Sequence, residues 1–308
     1  MTRSALRVFL GRLALASPLI VASGCDECHT IPAWTEVVAL DPTPDGGTCD
    51  PAMDCTNVAP CGVARSCEYS ATDGGVVALC HYPEIPHVCG AGCTGRRPAG
   101  LPHGGLHRAA GGIGEHFAQM AYLEAASVIA FERLADELSL HGAPDRLVAA
   151  ARRAASDEVR HARMTAAFAG AHEAAPPPVL LPPAAARSLE ALAIENAVEG
   201  CVNESFGAAL AWWQSRHAAV AAVRAMMRTI AADERRHGDL AWAISDWLSQ
   251  RLAPAARARV AQARTDALGA LAESLRHEPD PAFAAAAGLP SARVAMGILD
   301  LGKATLWS

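Results

Sequence analysis

From residue 113 onward the apolar positions recur every three to four residues, the period of helices with one buried face. The first such stripe is Phe117, Ala121, Glu124, Ser127, Val128, Phe131, Leu134, Leu138, in a helix spanning about 113–140. The second, over about 145–170, reads Leu147, Ala151, Ala154, Glu158, His161, Thr165, Phe168. The third, over about 184–216, reads Leu189, Leu192, Asn196, Glu199, Val202, Phe206, Leu210, Trp213. The fourth, over about 218–250, reads Val220, Val223, Met227, Ile230, Glu234, His237, Ala241, Ile244, Leu248. Further helices are predicted at 255–276 and 290–306.

The connections constrain how these helices meet. His141-Gly142-Ala143-Pro144 makes the first turn short, and the third and fourth helices are also nearly contiguous, so each pair should be antiparallel neighbours. Between the pairs lies Ala174-Ala175-Pro176-Pro177-Pro178-Val179-Leu180-Leu181-Pro182-Pro183. Proline holds such a stretch extended, at about 3.1 Å per residue. Its reach, roughly 40 Å, matches the length of one helix, so it can cross from end to end. The expected fold is all-α: a four-helix bundle over 113–250 made of two hairpins and one long crossover. Residues 251–308 form a C-terminal helical extension.

Charge on the buried faces changes the picture. Asp157-Glu158-Val159-Arg160-His161 and Asp233-Glu234-Arg235-Arg236-His237 agree at four of five positions. Glu and His at i, i+3 share a helix face, and here that face is the apolar one. Glu124 and Glu199 lie in the stripes of the other two helices, so Glu124, Glu158, His161, Glu199, Glu234 and His237 converge. Glu204 is a further, weaker candidate, about 140° around an α-helix from Glu199. Glu124 precedes Glu158 by 34 residues and Glu199 precedes Glu234 by 35, as in an internal repeat. Burying unpaired carboxylates is costly, and shared cations offset that cost. Four carboxylates and two imidazoles balance two divalent cations, and oxygen-rich ligation with one nitrogen per metal suits Fe, or Mn, better than structural zinc.

These motifs resemble the ferritin-like di-iron carboxylate superfamily, which includes rubrerythrins, bacterioferritins and bacterial multicomponent monooxygenases. Glu-Ala-Ala-Ser-Val-Ile-Ala-Phe (124–131) and Glu-Gly-Cys-Val-Asn-Glu (199–204) are most similar to predicted ferritin-like bacterial lipoproteins with Cys-rich N-terminal segments. The resemblance implies that Asp157 and Asp233 accept from the ligand imidazoles, steadied by Arg160 and Arg236. It implies an oxidoreductase that reacts with O2 or peroxide and a small molecule of unassigned identity. An iron-binding or ferroxidase role, or a non-catalytic surface module, is the alternative. The chain lacks the paired Cys-x-x-Cys knuckles of rubredoxin type, so any electron donor is external.

The N-terminal third is different in composition. Nine of the ten cysteines fall between Cys25 and Cys93. A dense cluster in a short segment reads as an irregular, disulfide-stabilised unit in an oxidising compartment, here 25–95. A Gly-rich linker, 96–112, follows. Before it, residues 1–24 carry Arg3, Arg7 and Arg12 and an apolar stretch, Leu13 to Ala22, of signal-peptide length. Val21-Ala22-Ser23-Gly24-Cys25 resembles a bacterial lipobox, so Cys25 is the candidate lipidation site, giving an extracytoplasmic, membrane-anchored protein. Cys25-Asp26-Glu27-Cys28-His29 also matches the haem attachment pattern Cys-x-x-Cys-His, but lipidation would claim the same sulfur and haem is set aside. Net charge is −6; without the three leader arginines, 23 basic residues face 32 acidic ones, a net −9, which excludes a nucleic-acid binder.

Overall fold

The computed structural model describes residues 6–13, 34–39, 66–72, 75–82, 96–101, 112–181 and 184–307. Cys25, the Cys25–His29 motif and most of the Cys-rich segment lie outside them. The chain divides into two compact units. One comprises Met1–Asp26, Cys89–Gly100 and Ala109–Ser308, the other Glu27–Val88 and Leu101–Arg108.

The smaller unit holds a three-stranded antiparallel sheet in the order β1 (Trp34–Ala39), β3 (Gly75–Tyr82), β2 (Ser66–Thr72). An irregular segment was expected here. Short Val-rich runs form strands instead, Val37-Val38 in β1 and Val76-Val77 in β3, because β-branched side chains suit a pleated surface. Thr72 pairs with Gly75, and the turn signal Asp73-Gly74 lies between them in sequence.

The larger unit is mostly helical. It contains α1 (6–13), α2 (Ile113–Leu140), α3 (Asp145–Gly170), α4 (Leu189–Glu195), a π-helical segment (Asn196–Glu204), α5 (Ser205–His217), α6 (Ala221–Ser249), α7 (Pro254–Ser274), α8 (Pro281–Ala287) and α9 (Ala292–Thr305). Alanine supplies much of the helix propensity. Ser188, Asp280 and Ser291 cap α4, α8 and α9 by accepting from backbone N–H groups of the first turn. Gly142, at φ 69°, closes the tight turn from α2 into α3. Among the described residues no single helix is long and apolar enough to cross a membrane; α8 and α9 qualify together but are bent by 51°.

Alpha2 packs most extensively on α3, and α5 with the π segment packs on α6, which also contacts α3. The connection after α3 begins beside the N-terminal end of α2, where a Cβ at Gly114 would meet His172 at 2.7 Å. It ends at the other end of α2, where Arg187 Nη2 donates to Glu137 Oε2 at 2.6 Å. It therefore runs the length of α2.

Two apolar layers bracket the middle of this unit. Phe117, Met120, Ala169, Met227 and Ile230 form one. Phe131, Leu134, Leu138, Leu147, Leu192, Ile244 and Leu248 form the other. On α2 the order is Phe117, Glu124, Phe131, and on α6 it is Ile230, Glu234, Ile244, so the buried acids lie between the layers.

Residues 96–100 were read as linker. They instead strap the helical unit, because Arg96 is 1% exposed and its charge is met there. Its guanidinium donates to Glu195 at 2.6 and 2.8 Å and lies over the Phe131 ring, while Ser127 Oγ donates to its carbonyl.

Candidate metal centre

Six side chains from four elements meet between those layers. Alpha2 supplies Glu124, α3 supplies Glu158 and His161, the last residue of the π segment is Glu204, and α6 supplies Glu234 and His237. None is more than 2% exposed.

They form two groups whose donor atoms all lie within 4.8 Å of one another: Glu124, Glu158, His161, Glu234, and Glu158, Glu204, Glu234, His237. The shared residues divide their oxygens. His161 Nδ1 is 3.5 Å from Glu124 Oε2, from Glu158 Oε2 and from Glu234 Oε1. His237 Nδ1 is 3.0 Å from Glu158 Oε1 and 3.6 Å from both Glu204 Oε2 and Glu234 Oε2. Glu158 and Glu234 thus present one oxygen to each group, the arrangement of a carboxylate bridging two ions.

These atoms are not otherwise satisfied. Both oxygens of Glu124, Glu158 and Glu204, Glu234 Oε2, and Nδ1 of His161 and His237 are buried without a hydrogen-bond partner. Buried polar atoms are almost always paired, so six residues orphaned around one point need a common partner. The donor set fits two divalent cations: four carboxylates match their charge, and each group holds three carboxylates and one imidazole.

The far side of each imidazole is held. His161 Nε2 lies 3.1 Å from Asp233 Oδ2, and His237 Nε2 lies 3.4 Å from Asp157 Oδ2. The pairing is crossed, since each aspartate serves the histidine of the other helix. Arg160 bonds both Asp157 and Asp233, and so does Arg236. An aspartate accepting from Nε2 fixes the ring so that Nδ1 faces the carboxylates, and that nitrogen offers a lone pair when the imidazole is neutral.

Electrostatics follow from burial and crowding. Burial raises the carboxyl pKa of Glu124 and Glu204 well above the ordinary range, and the charges of Glu158 and Glu234 respectively add to it. Burial and Glu234 push Glu158 the same way, but the neighbouring Glu124 carboxyl and the His161 and His237 imidazoles outweigh them and lower it. Burial opposes charging of His161, yet Asp233 and three glutamates raise it strongly; His237 is raised by Glu234, Asp157 and its other carboxylate neighbours. Without cations, protons must take up the excess negative charge.

Of the residues predicted from periodicity, Glu124, Glu158, His161, Glu234 and His237 come together, and Glu199 does not. Glu199 Oε2 accepts from Arg97 N–H at 3.1 Å, on the strap, and from Asn203 Nδ2 at 3.1 Å. Burial raises its pKa. Glu204 occupies the expected place instead. The cause is the π segment, in which each bond closes over one more residue than in an α-helix. That extra residue turns everything after it, so α-helical spacing aims Glu199 inward and Glu204 aside, the reverse of what is seen. The near-equal 34- and 35-residue spacings favoured Glu199, whereas Glu204 stands only 30 residues before Glu234. Gly200 marks the spot: a Cβ there would meet Ala241 Cβ at 2.7 Å and Arg96 Nη1 at 3.3 Å.

Three further residues have structural places. Cys201 is a buried free thiol whose pKa burial pushes up to about 12. Trp242 Nε1 donates to Ser205 Oγ within the core. His116 is half-buried edge-on to the rings of Phe117 and Phe283. No protein family, curated protein or solved structure matches the chain.

Proposed function

We propose that the helical unit is a ferritin-like four-helix bundle whose centre binds two metal ions, iron in preference and manganese as the alternative, and reacts with O2 or peroxide. The observation that carries this reading is the sharing of Glu158 and Glu234 between two buried donor groups, one oxygen to each. Glu124 and His161 would complete one ion's ligands, and Glu204 and His237 the other's. Oxygen-rich ligation with one nitrogen per ion suits iron and manganese, and three carboxylates and one imidazole leave room for an exogenous ligand.

When bound, the ions would supply the electrons and Lewis acidity for reducing oxygen. The chain's own residues set the conditions. Asp233 and Asp157 hold the Nε2 ends of His161 and His237 and so aim both Nδ1 atoms at the carboxylates, where a cation would take the place of the Nδ1 proton. The apolar layers around Phe131 and Ile230 exclude bulk water, which strengthens every charge interaction inside. Glu199, hydrogen-bonded and half-buried beside the strap, remains a carboxyl within the π segment without being consumed as a ligand.

The lipobox-like sequence ending at Cys25 supports an extracytoplasmic, lipid-anchored location for this centre. The test of the activity is stopped-flow mixing of anaerobic, iron-loaded, reduced protein with oxygen. Oxidation within seconds, with a transient visible absorption, and severe slowing in His161→Ala are expected. Ferrous protein that persists for minutes in air would leave metal binding without oxygen chemistry.

A further inference from the structure

Nine residues in the π register, Asn196–Glu204, are a long run for a conformation that occurs mostly as single turns inside α-helices. Hydrogen bonds from outside the segment's own helix meet it at several points. Asn196 Nδ2 donates to Ala241 O of α6 at 2.9 Å, and Trp307 Nε1, just beyond α9, donates to Cys201 O at 2.7 Å. The strap supplies the rest. Arg96 Nη2 donates to Asn196 Oδ1 at 3.3 Å, and Arg97 N–H donates to Glu199 Oε2 at 3.1 Å.

Arg96 is the residue on which that strap turns. Arginine is almost never fully buried unless its charge is paired. Its partner here is Glu195, the residue immediately before the π segment, so one guanidinium fixes the last residue of α4 and the first of the segment together. It also lies against the backbone further along. A Cβ at Gly200 would stand 3.3 Å from Arg96 Nη1 and 2.9 Å from Asn196 Oδ1. Only glycine lets the guanidinium come so close to the middle of the segment.

The same side chain stands one ring away from the proposed centre. Its guanidinium carbon is 5.6 Å from the centroid of the Phe131 ring, and that ring is 5.0 Å from the His237 imidazole. Glu204 and Glu199 are both near enough for their charges to bear on Arg96. In an α-helix those two glutamates would stand about 140° apart, with Glu204 turned aside. The register of the segment is therefore what aims Glu204 at His237.

We propose that Arg96 is a positioning residue of the metal centre: by gripping Glu195, Asn196 and the backbone at Gly200 it holds the segment in the π register, and so makes Glu204 rather than Glu199 the carboxylate on the His237 side. The ligand role rests on the two-ion function proposed above; the grip on the segment does not. Arg96→Met is the variant that isolates the guanidinium. It keeps an unbranched stem beside Phe131 and the backbone carbonyl to which Ser127 Oγ donates. It also leaves Glu195 paired with Arg187 Nη1 at 3.2 Å, so no carboxylate is stranded without a cation.

The test takes two readouts on the full chain. In metal-free protein, amide hydrogen exchange of peptides covering 196–204 should quicken at least about tenfold in Arg96→Met, with exchange in α2 and α3 unchanged. Manganous ion, counted by the loss of the free ion's paramagnetic resonance signal, gives the second. Wild-type protein should take up about two ions per chain. Arg96→Met should keep one and bind the other at least about tenfold more weakly. Gly200→Ala, which crowds the same guanidinium, should do likewise. Leu134→Ala thins an apolar layer instead; it should lower the melting temperature yet keep both ions, which separates positioning from general loosening. Unchanged exchange in Arg96→Met, or a second ion held as tightly as in wild type, overturns the inference and leaves the centre standing. Wild-type protein that takes up no manganese overturns the centre, and the exchange readout then still decides whether Arg96 grips the segment.

Discussion

His161 of α3 is oriented by Asp233 of α6, 3.1 Å from Nε2 to Oδ2, and not by the aspartate of its own motif. The reciprocal contact joins His237 to Asp157 at 3.4 Å. Each motif of one helix therefore completes the other's, and Arg160 and Arg236 tie the two aspartates together. Cutting one contact should disturb the far helix's metal ligand. Asp233→Asn leaves His161 free to rotate or change tautomer. Metal affinity at the Glu124 side should fall by about 10–100-fold, with the fold retained. Competition against a chromophoric chelator measures it, and unchanged affinity would show that the aspartates have no orienting role.

A second prediction separates the two acids of the π segment. Glu204→Ala removes one side's own carboxylate and should leave about one ion per chain instead of two. Glu199→Gln keeps the hydrogen-bonding shape of a residue held by Arg97 and Asn203, and should retain both. Elemental analysis of the two purified variants decides it; loss of metal in Glu199→Gln alone would restore the assignment made from α-helical spacing.

This is also where legibility in the sequence ended. Alpha2, α3 and α6 are regular, so a 100° step per residue located Glu124, Glu158, His161, Glu234 and His237. The π segment breaks that step, and nothing in Asn196–Glu204 announces it to a periodicity argument except the close glycine at 200. The strap was missed for a different reason. Arg96 looks like a solvated linker residue until the fold brings Glu195, ninety-nine positions away, within hydrogen-bonding reach. The short helix α8 and the three strands were too brief to show a period beside their Pro-, Gly- and Cys-rich surroundings.

His116 carries a pH prediction. Burial against Phe117 and Phe283 lowers its pKa from 6.5 to about 4. The folded state therefore binds fewer protons than the unfolded state between those values, and stability is full above pH 6.5 and lost progressively toward pH 4. His116→Phe keeps a ring in the same contacts and removes the proton. Denaturant titrations from pH 7 to pH 4 should show a shallower loss for the variant, and parallel curves would mean that His116 does not titrate differently on folding.

The cysteines give a fourth prediction. Cys67 of β2 stands opposite Cys80 of β3 in the antiparallel register, a separation a disulfide can span. Cys201 is buried and free in the helical unit. Peptide mapping without reductant should recover Cys67 linked to Cys80, and alkylation should reach Cys201 only after denaturation. Cys67 linked elsewhere would contradict the register, and rapid labelling of native Cys201 would contradict its burial.

The centre itself is tested most directly by counting metal. Glu158 and Glu234 each serve both donor groups, so removing them should dismantle both sites while the apolar layers hold the helices together. Wild-type protein loaded with ferrous iron and freed of excess should contain about two ions per chain. The Glu158→Ala/Glu234→Ala variant, shown by circular dichroism to be equally helical, should contain almost none. Equal metal in both would contradict a shared two-ion centre.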